Sequence, residues 1–497
     1  MRGLAPLAVV LGAVAPFATG LRFEHVYDDR ATLVTTPAAR LSFGAIARAC
    51  LDGARWLPDV SRPAMPLSVR LDHALTGAAP WGTHLTSLVL YAASALAAYA
   101  LARVLLRARP LALGAALLWA AMPVHAEAVV CASYREDLFA AIGVFGALAL
   151  ILAPTRDAQR WPQALAAGAL AALGLAGKES ALVLVPLLAV LALGAAPREA
   201  LVGWALRRER TLLTLALVLV AYAAWRVPLA WAGDGVARAL PGTRGPHDDA
   251  RFVVWAAARS LLPVYVDPIY APLDRADARG WLVLAPLGLA WLAARRRAIG
   301  HALAFLLFGG LATLPALGAA NERADRYLLF TTFGAACLAA LALDAAARGL
   351  RRRTHASRAT LTTALAVTLA LGLGVRSAIA AAPFANDLAL FTYATHSAPT
   401  SAKAWQARAW AERRAGRLRD AARSLSRSLA LDPSRPETRL SAAYLALAEG
   451  ASARARTLLV SLRADGHGQL AGFERAWRCA QPGDDGRATD CLEEGLR

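Results

Sequence analysis

Residues 161–195 read WPQALAAGALAALGLAGKESALVLVPLLAVLALGA, two apolar runs joined by Gly177, Lys178, Glu179 and Ser180. A helix needs about 20 apolar residues to cross a bilayer, fewer where neighbours thin it. The stretch therefore predicts two crossings back to back, over 161–177 and 180–195. A plain polar turn would use Gly, Asn or Ser, and Lys178 and Lys403 are the only lysines in the chain. Lys178 and Glu179 read either as two charges that neutralise each other or as part of a functional site bordering the membrane.

The pattern continues in both directions. Of 497 residues, 57% are hydrophobic and 18% charged, which excludes an ordinary soluble globule. Apolar runs at 3–20, 83–103, 110–124, 138–153, 211–228, 281–294, 300–317, 327–347 and 359–381 raise the expectation to about eleven spans. Arginines 103, 107 and 109, 156 and 160, 207, 208 and 210, 295–297, and 351–353 with 358 all fall on one side if the amino terminus is cytoplasmic. An extra crossing at 251–266 would carry the triple at 295–297 outside, so that piece reads as interfacial or re-entrant. The first run follows Arg2 and has the length of a signal peptide, but the loop after it carries candidate chemistry, so it reads as a retained anchor. The formal charge of +19 is then a matter of topology. Without an aromatic-interleaved basic stripe it gives no nucleic-acid partner, and no internal symmetry of the spans speaks for a transporter.

After about residue 386 the chain turns polar and self-similar. Ala402 to Arg435 and Pro436 to Gln469 align at 34 residues, the tetratricopeptide period, with Trp405, Gly416, Ala421 and the Leu431-Asp432-Pro433 ending at the expected places. Gly450 and Ala455 repeat the small residues that let two helices approach, and a degenerate third unit is expected near Phe473 to Leu496. The chain thus reads as all-α: a membrane helical domain over 1–385 with an external loop at 21–82, then a short α-solenoid over 386–497. An odd number of crossings places that solenoid outside. There Cys479 and Cys491 could form a disulfide or remain two thiols.

Candidate chemistry lies in the outward polar pieces. Asp28 and Asp29 follow the first span at headgroup depth, where a carboxylate can act as a base or simply open a solvated loop. His125, Glu127 and Arg135 border the third and fourth spans, where ionisable groups are expensive and usually paired or functional. Glu322, Arg323, Asp325 and Arg326 border the tenth in the same way.

The stretch from Arg62 and Pro63 to Leu71 and Asp72, and on through Pro80, Trp81, Gly82, His84 and Leu85, resembles bacterial relatives of the transmembrane and tetratricopeptide-repeat O-mannosyltransferase family, polytopic glycosyltransferases of the GT-C fold. The likeness extends through Pro123 to Val129, Arg135 to Asp137, Gly177 to Ser180, Arg259 to Asp267, Arg326 to Leu328 with Gly334, and the terminal repeats. Met122 departs from a common family histidine, which bears on donor geometry, and the short repeat array bears on the acceptor. The resemblance implies transfer of a sugar such as mannose, with inversion, from a polyprenyl-phosphate carrier to a hydroxyl on protein or envelope glycan. It carries the catalytic acid onto Asp28 or Asp29. The departing phosphate then calls for cations, here Arg135, Lys178, Arg323 and Arg326, and His125, Glu127, Glu179 and Arg62 are left to contact sugar or acceptor. The resemblance assigns no cofactor and leaves metal dependence open, since Asp28 and Asp29 could hold a divalent cation. The setting implied is the bacterial inner membrane, with the carboxyl-terminal domain periplasmic. The alternative is a non-enzymatic, membrane-anchored repeat scaffold for envelope assembly.

Overall fold

The computed structural model describes residues 3–54, 57, 59–77, 79–155, 157–195, 200–232, 246–263, 266, 279–295, 297–313, 323–468, 470 and 472–481. Among these, all regular structure is helical. The chain divides into two compact units, Met1–Val266 with Asp274–Ala382, and Pro383–Arg497 with Asp267–Leu273.

The first unit holds α1 (Leu4–Val14), α2 (Phe43–Asp52), α3 (Ala64–Thr76), α4 (Pro80–Leu106), α5 (Arg109–Ala120), α6 (Ala126–Val130), α7 (Arg135–Leu152), α8 (Trp161–Gly177), α9 (Leu184–Ala195), α10 (Leu201–Leu206), α11 (Glu209–Ala232), α12 (Pro246–Leu261), α13 (Arg279–Ala294), α14 (Ala298–Phe308), α15 (Leu329–Leu350) and α16 (Arg358–Ala381). A helix stands at each expected span. Among the described residues five runs are long and apolar enough to cross a membrane: Leu4–Arg22, Pro80–Leu106, Glu209–Leu229, Asp325–Arg353 and Arg358–Ala385. A sixth arises if Arg109–Ala120 and Pro123–Val130, bent by 53°, form one span. The protein is therefore a multi-pass membrane protein, and the expectation of eleven crossings rests on shorter helices such as Trp161–Gly177, which fall short of a full hydrocarbon core. The 251–266 piece lies largely in α12, whose Ser260 hydroxyl donates to the Thr331 hydroxyl at 2.7 Å inside the bundle.

Small residues set the spacing. A side chain at Gly143 of α7 would lie 2.5 Å from the Gly174 Cα of α8, and one at Gly177 would lie 2.4 Å from the Phe139 Cβ. Bare backbone at these crossings lets the two helices touch, and this brings the turn at Lys178 beside the start of α7. The bend between α5 and α6 is made at Pro123, which cannot donate a backbone hydrogen bond. The carbonyls it leaves are taken by the Tyr91 hydroxyl, on Ala120 at 2.8 Å, and the Ser377 hydroxyl, on Ala121 at 2.8 Å. At the far end of α15, Asp344 accepts from Arg348, Arg358 and Thr362 and staples the turn into α16.

The second unit contains α17 (Asp387–Ser397), α18 (Ala402–Arg414), α19 (Leu418–Leu431), α20 (Pro436–Ala448), α21 (Ser452–Ala464) and α22 (Phe473–Cys479). The starts of α18 and α20, and of α19 and α21, lie 34 residues apart. Gly416 and Gly450 turn each pair at φ of 73° and 75°, a region that favours glycine. Ala409, Ala421, Leu425 and Leu445 form one core and Ala443, Ala455, Leu459 and Phe473 belong to the next, so each helical pair closes against its neighbour. Cys479 is disulfide-bonded, whereas Cys50, Cys131 and Cys337 are free thiols. Cys491, and most of the stretch expected to hold a third repeat, lie outside the described residues.

Candidate functional site

The two neighbouring aspartates have opposite environments. Tyr27 adopts φ of 53°, an uncommon conformation for a non-glycine residue, and turns the chain so that Asp28 is exposed and Asp29 buried. The Asp29 carboxylate accepts from the backbone of Ser133 at 2.7 Å and of Val26 at 3.2 Å, and from the Cys131 thiol at 3.4 Å. It ties the loop after α1 to the connection ahead of α7. Asp28 instead accepts from the Tyr134 hydroxyl at 2.8 Å.

Tyr134 connects this carboxylate to a cation. The Arg326 guanidinium lies 3.9 Å from the Tyr134 ring centroid and 4.8 Å from that of Tyr327, favourable cation–π geometry. Glu127 accepts from both the side chain and the backbone nitrogen of Arg326. The Arg326 Nε is buried without a hydrogen-bond partner. On the other side of Tyr327, the Lys178 Nζ lies 5.1 Å from the ring.

Lys178 opens a second network. Its ammonium contacts Glu136 at 2.8 Å and Asp137 at 2.7 Å, and Glu136 also accepts from Arg62 at 2.6 Å. Arg62 makes a two-pronged contact to Glu179, at 3.0 and 2.6 Å. Burial alone would raise the Glu179 carboxyl, but the Arg62 guanidinium outweighs it and brings it down to about 2. Burial likewise works against the Lys178 charge, yet Asp137 and Glu136 hold it above its ordinary value. Asp59 is raised by burial and by the negative charge of Glu136. It feels Arg62, Asp28 and Lys178 as well, so both networks border one polar region.

The sequence-predicted residues therefore divide. Asp28, Glu127, Arg326, Lys178, Glu179 and Arg62 converge. Arg135 does not join them: its guanidinium is fully enclosed, bound to Asp72 and to the carbonyls of Ala132 and Thr83, where a phosphate has no access. His125 is a core residue, with Nδ1 on the Tyr91 hydroxyl at 2.7 Å and Nε2 on the Thr332 hydroxyl at 2.9 Å. Arg323 lies 5.9 Å from the Trp255 ring, and Glu322 is outside the described residues. No three His, Cys, Asp or Glu side chains converge in metal-binding geometry among the described residues, and Asp29 directs its oxygens to protein donors. Sequence reasoning assigned no role to Glu136, Asp137, Tyr134 or Tyr327, although an acidic pair at the border of an apolar span was a usable signal.

Residues 60–226 match the family described as dolichyl-phosphate-mannose-protein mannosyltransferase. This part of the chain is similar to protein O-mannosyltransferases. Over 174 residues it is 34% identical to Protein O-mannosyl-transferase Tmtc2 of Drosophila melanogaster, covering 32% of this chain and 18% of that relative. The resemblance read from the sequence motifs is thereby borne out. Among solved structures, the archaeal oligosaccharyltransferase AglB from Archaeoglobus fulgidus, in complex with an inhibitory peptide and a dolichol-phosphate, aligns with a TM-score of 0.45 at 13% identity, over 80% of this chain and 58% of that one. An Archaeoglobus fulgidus oligosaccharyltransferase tethered with an acceptor peptide aligns at 0.43 and 14% identity, over 78% and 57% of the two chains. The chain thus spans less than two thirds of the length of each relative it matches.

Proposed function

We propose that this protein is a membrane glycosyltransferase that moves a sugar from a polyprenyl-phosphate carrier to a hydroxyl acceptor, on protein or envelope glycan, at the outer face of a bacterial inner membrane. The observation that carries the reading is the exposed Asp28 carboxylate, held by Tyr134 against the Arg326 guanidinium at the polar end of an apolar bundle. Asp28 takes the proton of the acceptor hydroxyl as its oxygen attacks the anomeric carbon. The bond to the carrier phosphate breaks, the electron pair leaves with that phosphate, and the configuration inverts. Arg326 keeps Tyr134 in place and lends positive potential to the ionised carboxylate. Arg62, Glu136 and Glu179 offer charged oxygens and guanidinium edges to sugar hydroxyls. Asp29 fixes the loop rather than touching the acceptor.

The disulfide at Cys479 supports an oxidising, external setting for the repeat unit, where such platforms bind peptide segments of an acceptor. The test is transfer of labelled sugar from a polyprenyl-phosphate donor by membranes containing each variant. Asp28→Asn is expected to lower the rate by about two to four orders of magnitude with unchanged insertion and thermal stability. Asp29→Asn is expected to lower stability first. Full transfer by Asp28→Asn rejects the assignment.

A further inference from the structure

The repeats of the second unit can be compared with each other position by position. An offset of 34 residues carries α18 onto α20 and α19 onto α21. The same offset carries Arg417, Arg419, Arg423 and Arg427 onto Ala451, Ala453, Thr457 and Ser461. The repeat therefore folds with neutral side chains at these positions, and its packing does not call for the arginines. All four are exposed. Arg419, Arg423 and Arg427 recur every fourth residue, which puts them on one helix face where like charges repel. Arg417 stands at the N-cap of α19 and Arg419 in its first turn, the end where the helix dipole disfavours cations.

Protein carboxylates offset little of this charge. Asp420 accepts from Arg423, whose side chain stays 80% exposed. Among the described residues no carboxylate is paired with Arg417, Arg419 or Arg427. On the second repeat the arginines stand elsewhere and find partners: Glu449 meets Arg454 at 3.6 Å, and Glu474 meets Arg463 at 3.1 Å. Between and beyond the arginines of α19 the exposed positions are Ser426 and Ala430, so this face has no large apolar or aromatic side chain of the kind that anchors a protein partner. Trp410 and Tyr444 instead line the small cleft where α18, α19 and α20 meet. The stripe also lies close along the chain to the bilayer. The last run able to cross a membrane ends at Ala385, and of the helices only α17 and α18 stand between it and α19. A tether of that length keeps the stripe at high effective concentration near lipid headgroups.

We infer that Arg417, Arg419, Arg423 and Arg427 bind the anionic headgroups of the membrane surface and so hold the first repeat against the bilayer. A row of exposed cations without an apolar anchor matches a diffuse sheet of negative charge rather than a shaped protein surface. The inference stands apart from the transferase reading and from the side of the membrane on which the repeats lie, since anionic lipid in either leaflet supplies the partner. Contact of this kind weakens with salt, and it depends on charge rather than on the two-pronged geometry of a guanidinium.

The test uses the full-length protein in nanodiscs of phosphatidylcholine, with or without phosphatidylglycerol, and a fluorophore attached through Ser426→Cys within the stripe. The native free thiols are buried and do not compete for the label. Quenching by a lipid with a spin label on its headgroup reports contact. Strong quenching is expected with phosphatidylglycerol, little in phosphatidylcholine alone, and loss of the difference at high salt. Arg419→Gln, Arg423→Gln and Arg427→Gln together are expected to lower the ratio of docked to free repeats about a hundredfold, at roughly fivefold per arginine, with an unchanged unfolding midpoint. Arg419→Lys, Arg423→Lys and Arg427→Lys together are expected to keep the contact. Equal quenching in the two lipids overturns the inference, as does equal quenching of the wild type and the glutamine variant. A lysine variant that loses contact as completely as the glutamine variant also overturns it. So does a protein that captures soluble polyglutamate through these arginines but shows no quenching with phosphatidylglycerol, the behaviour of a face made for an acidic protein.

Discussion

The two ends of α15 carry carboxylate–arginine clusters of opposite construction. At its far end, Asp344 is met by Arg348, Arg358 and Thr362, which are 4, 14 and 18 residues away in sequence. The side chains of Arg348 and Arg358 are 53% and 45% exposed. At its start, Arg326 meets Glu127 across 199 residues, and beyond Tyr327 the Arg62–Glu179 and Lys178–Asp137 pairs span 117 and 41. The first cluster is a local staple formed by any chain that makes the α15–α16 turn, and exposed pairs of this kind contribute little. The second forms only when distant helices are assembled, and it takes charges out of water at a cost that their attraction repays only with good geometry. Buried charge that persists against such a cost, grouped at one end of the bundle, is a reason to seek function there.

The comparison is sharpest at Lys178. Lys178→Met leaves Asp137 without its cation in a buried site, and the expected loss of stability is about 3–5 kcal/mol, read from unfolding in detergent. Replacing both partners, Lys178→Met with Asp137→Leu, should restore much of that stability, because a well-packed apolar pair is close to neutral against a buried ion pair. Sugar transfer should stay lost in the double variant if the network serves the substrate. At the other end, Asp344→Ala should lower the unfolding midpoint only slightly and leave the transfer rate per folded molecule unchanged. A fall as large as that of Lys178→Met would erase the distinction between the two ends.

The same contrast explains what could be read in advance. Apolar runs bounded by arginines located the helices, because lipid burial acts on composition over about 20 residues at a time. The 34-residue recurrence likewise predicted the spacing of α18 to α21, since it lies in the chain itself. Alternation of the spans put Asp28, Glu127, Lys178, Glu179 and Arg326 on one side, and they do share one end of the bundle. What sequence could not supply was partnership. Asp28 and Asp29 are indistinguishable as letters, and only the positive φ of Tyr27 and the donors at Ser133 and Val26 separate them. Arg135 appeared to be a ligand for phosphate until Asp72, 63 residues away, was seen to occupy it.

Acidity should distinguish the two ends by a smaller margin. His25, in the loop after α1, is buried, and burial lowers its imidazole from 6.5 to about 4. Asp29 opposes that shift, while His84, Arg30 and Arg135 add to it. The folded protein therefore holds His25 neutral between these two values, while the unfolded chain takes up the proton near 6.5. The unfolded state binds more protons across that window, so stability rises with pH there and is lost as pH falls from about 6.5 toward 4. The unfolding midpoint in detergent is expected to be lower at pH 5 than at pH 7, and His25→Gln, which can keep a hydrogen bond to the Thr83 hydroxyl, should reduce the difference. Protease sensitivity measured across the same pH range should rise in the loop after α1 before it rises at the α15–α16 turn. The Arg62–Glu179 contact should not contribute, because a carboxyl held at about 2 stays ionised throughout the window. If acid opens the α15–α16 turn first, or if His25→Gln leaves the pH dependence unchanged, the softening belongs to other groups and the end that holds Asp28 is not the acid-sensitive one.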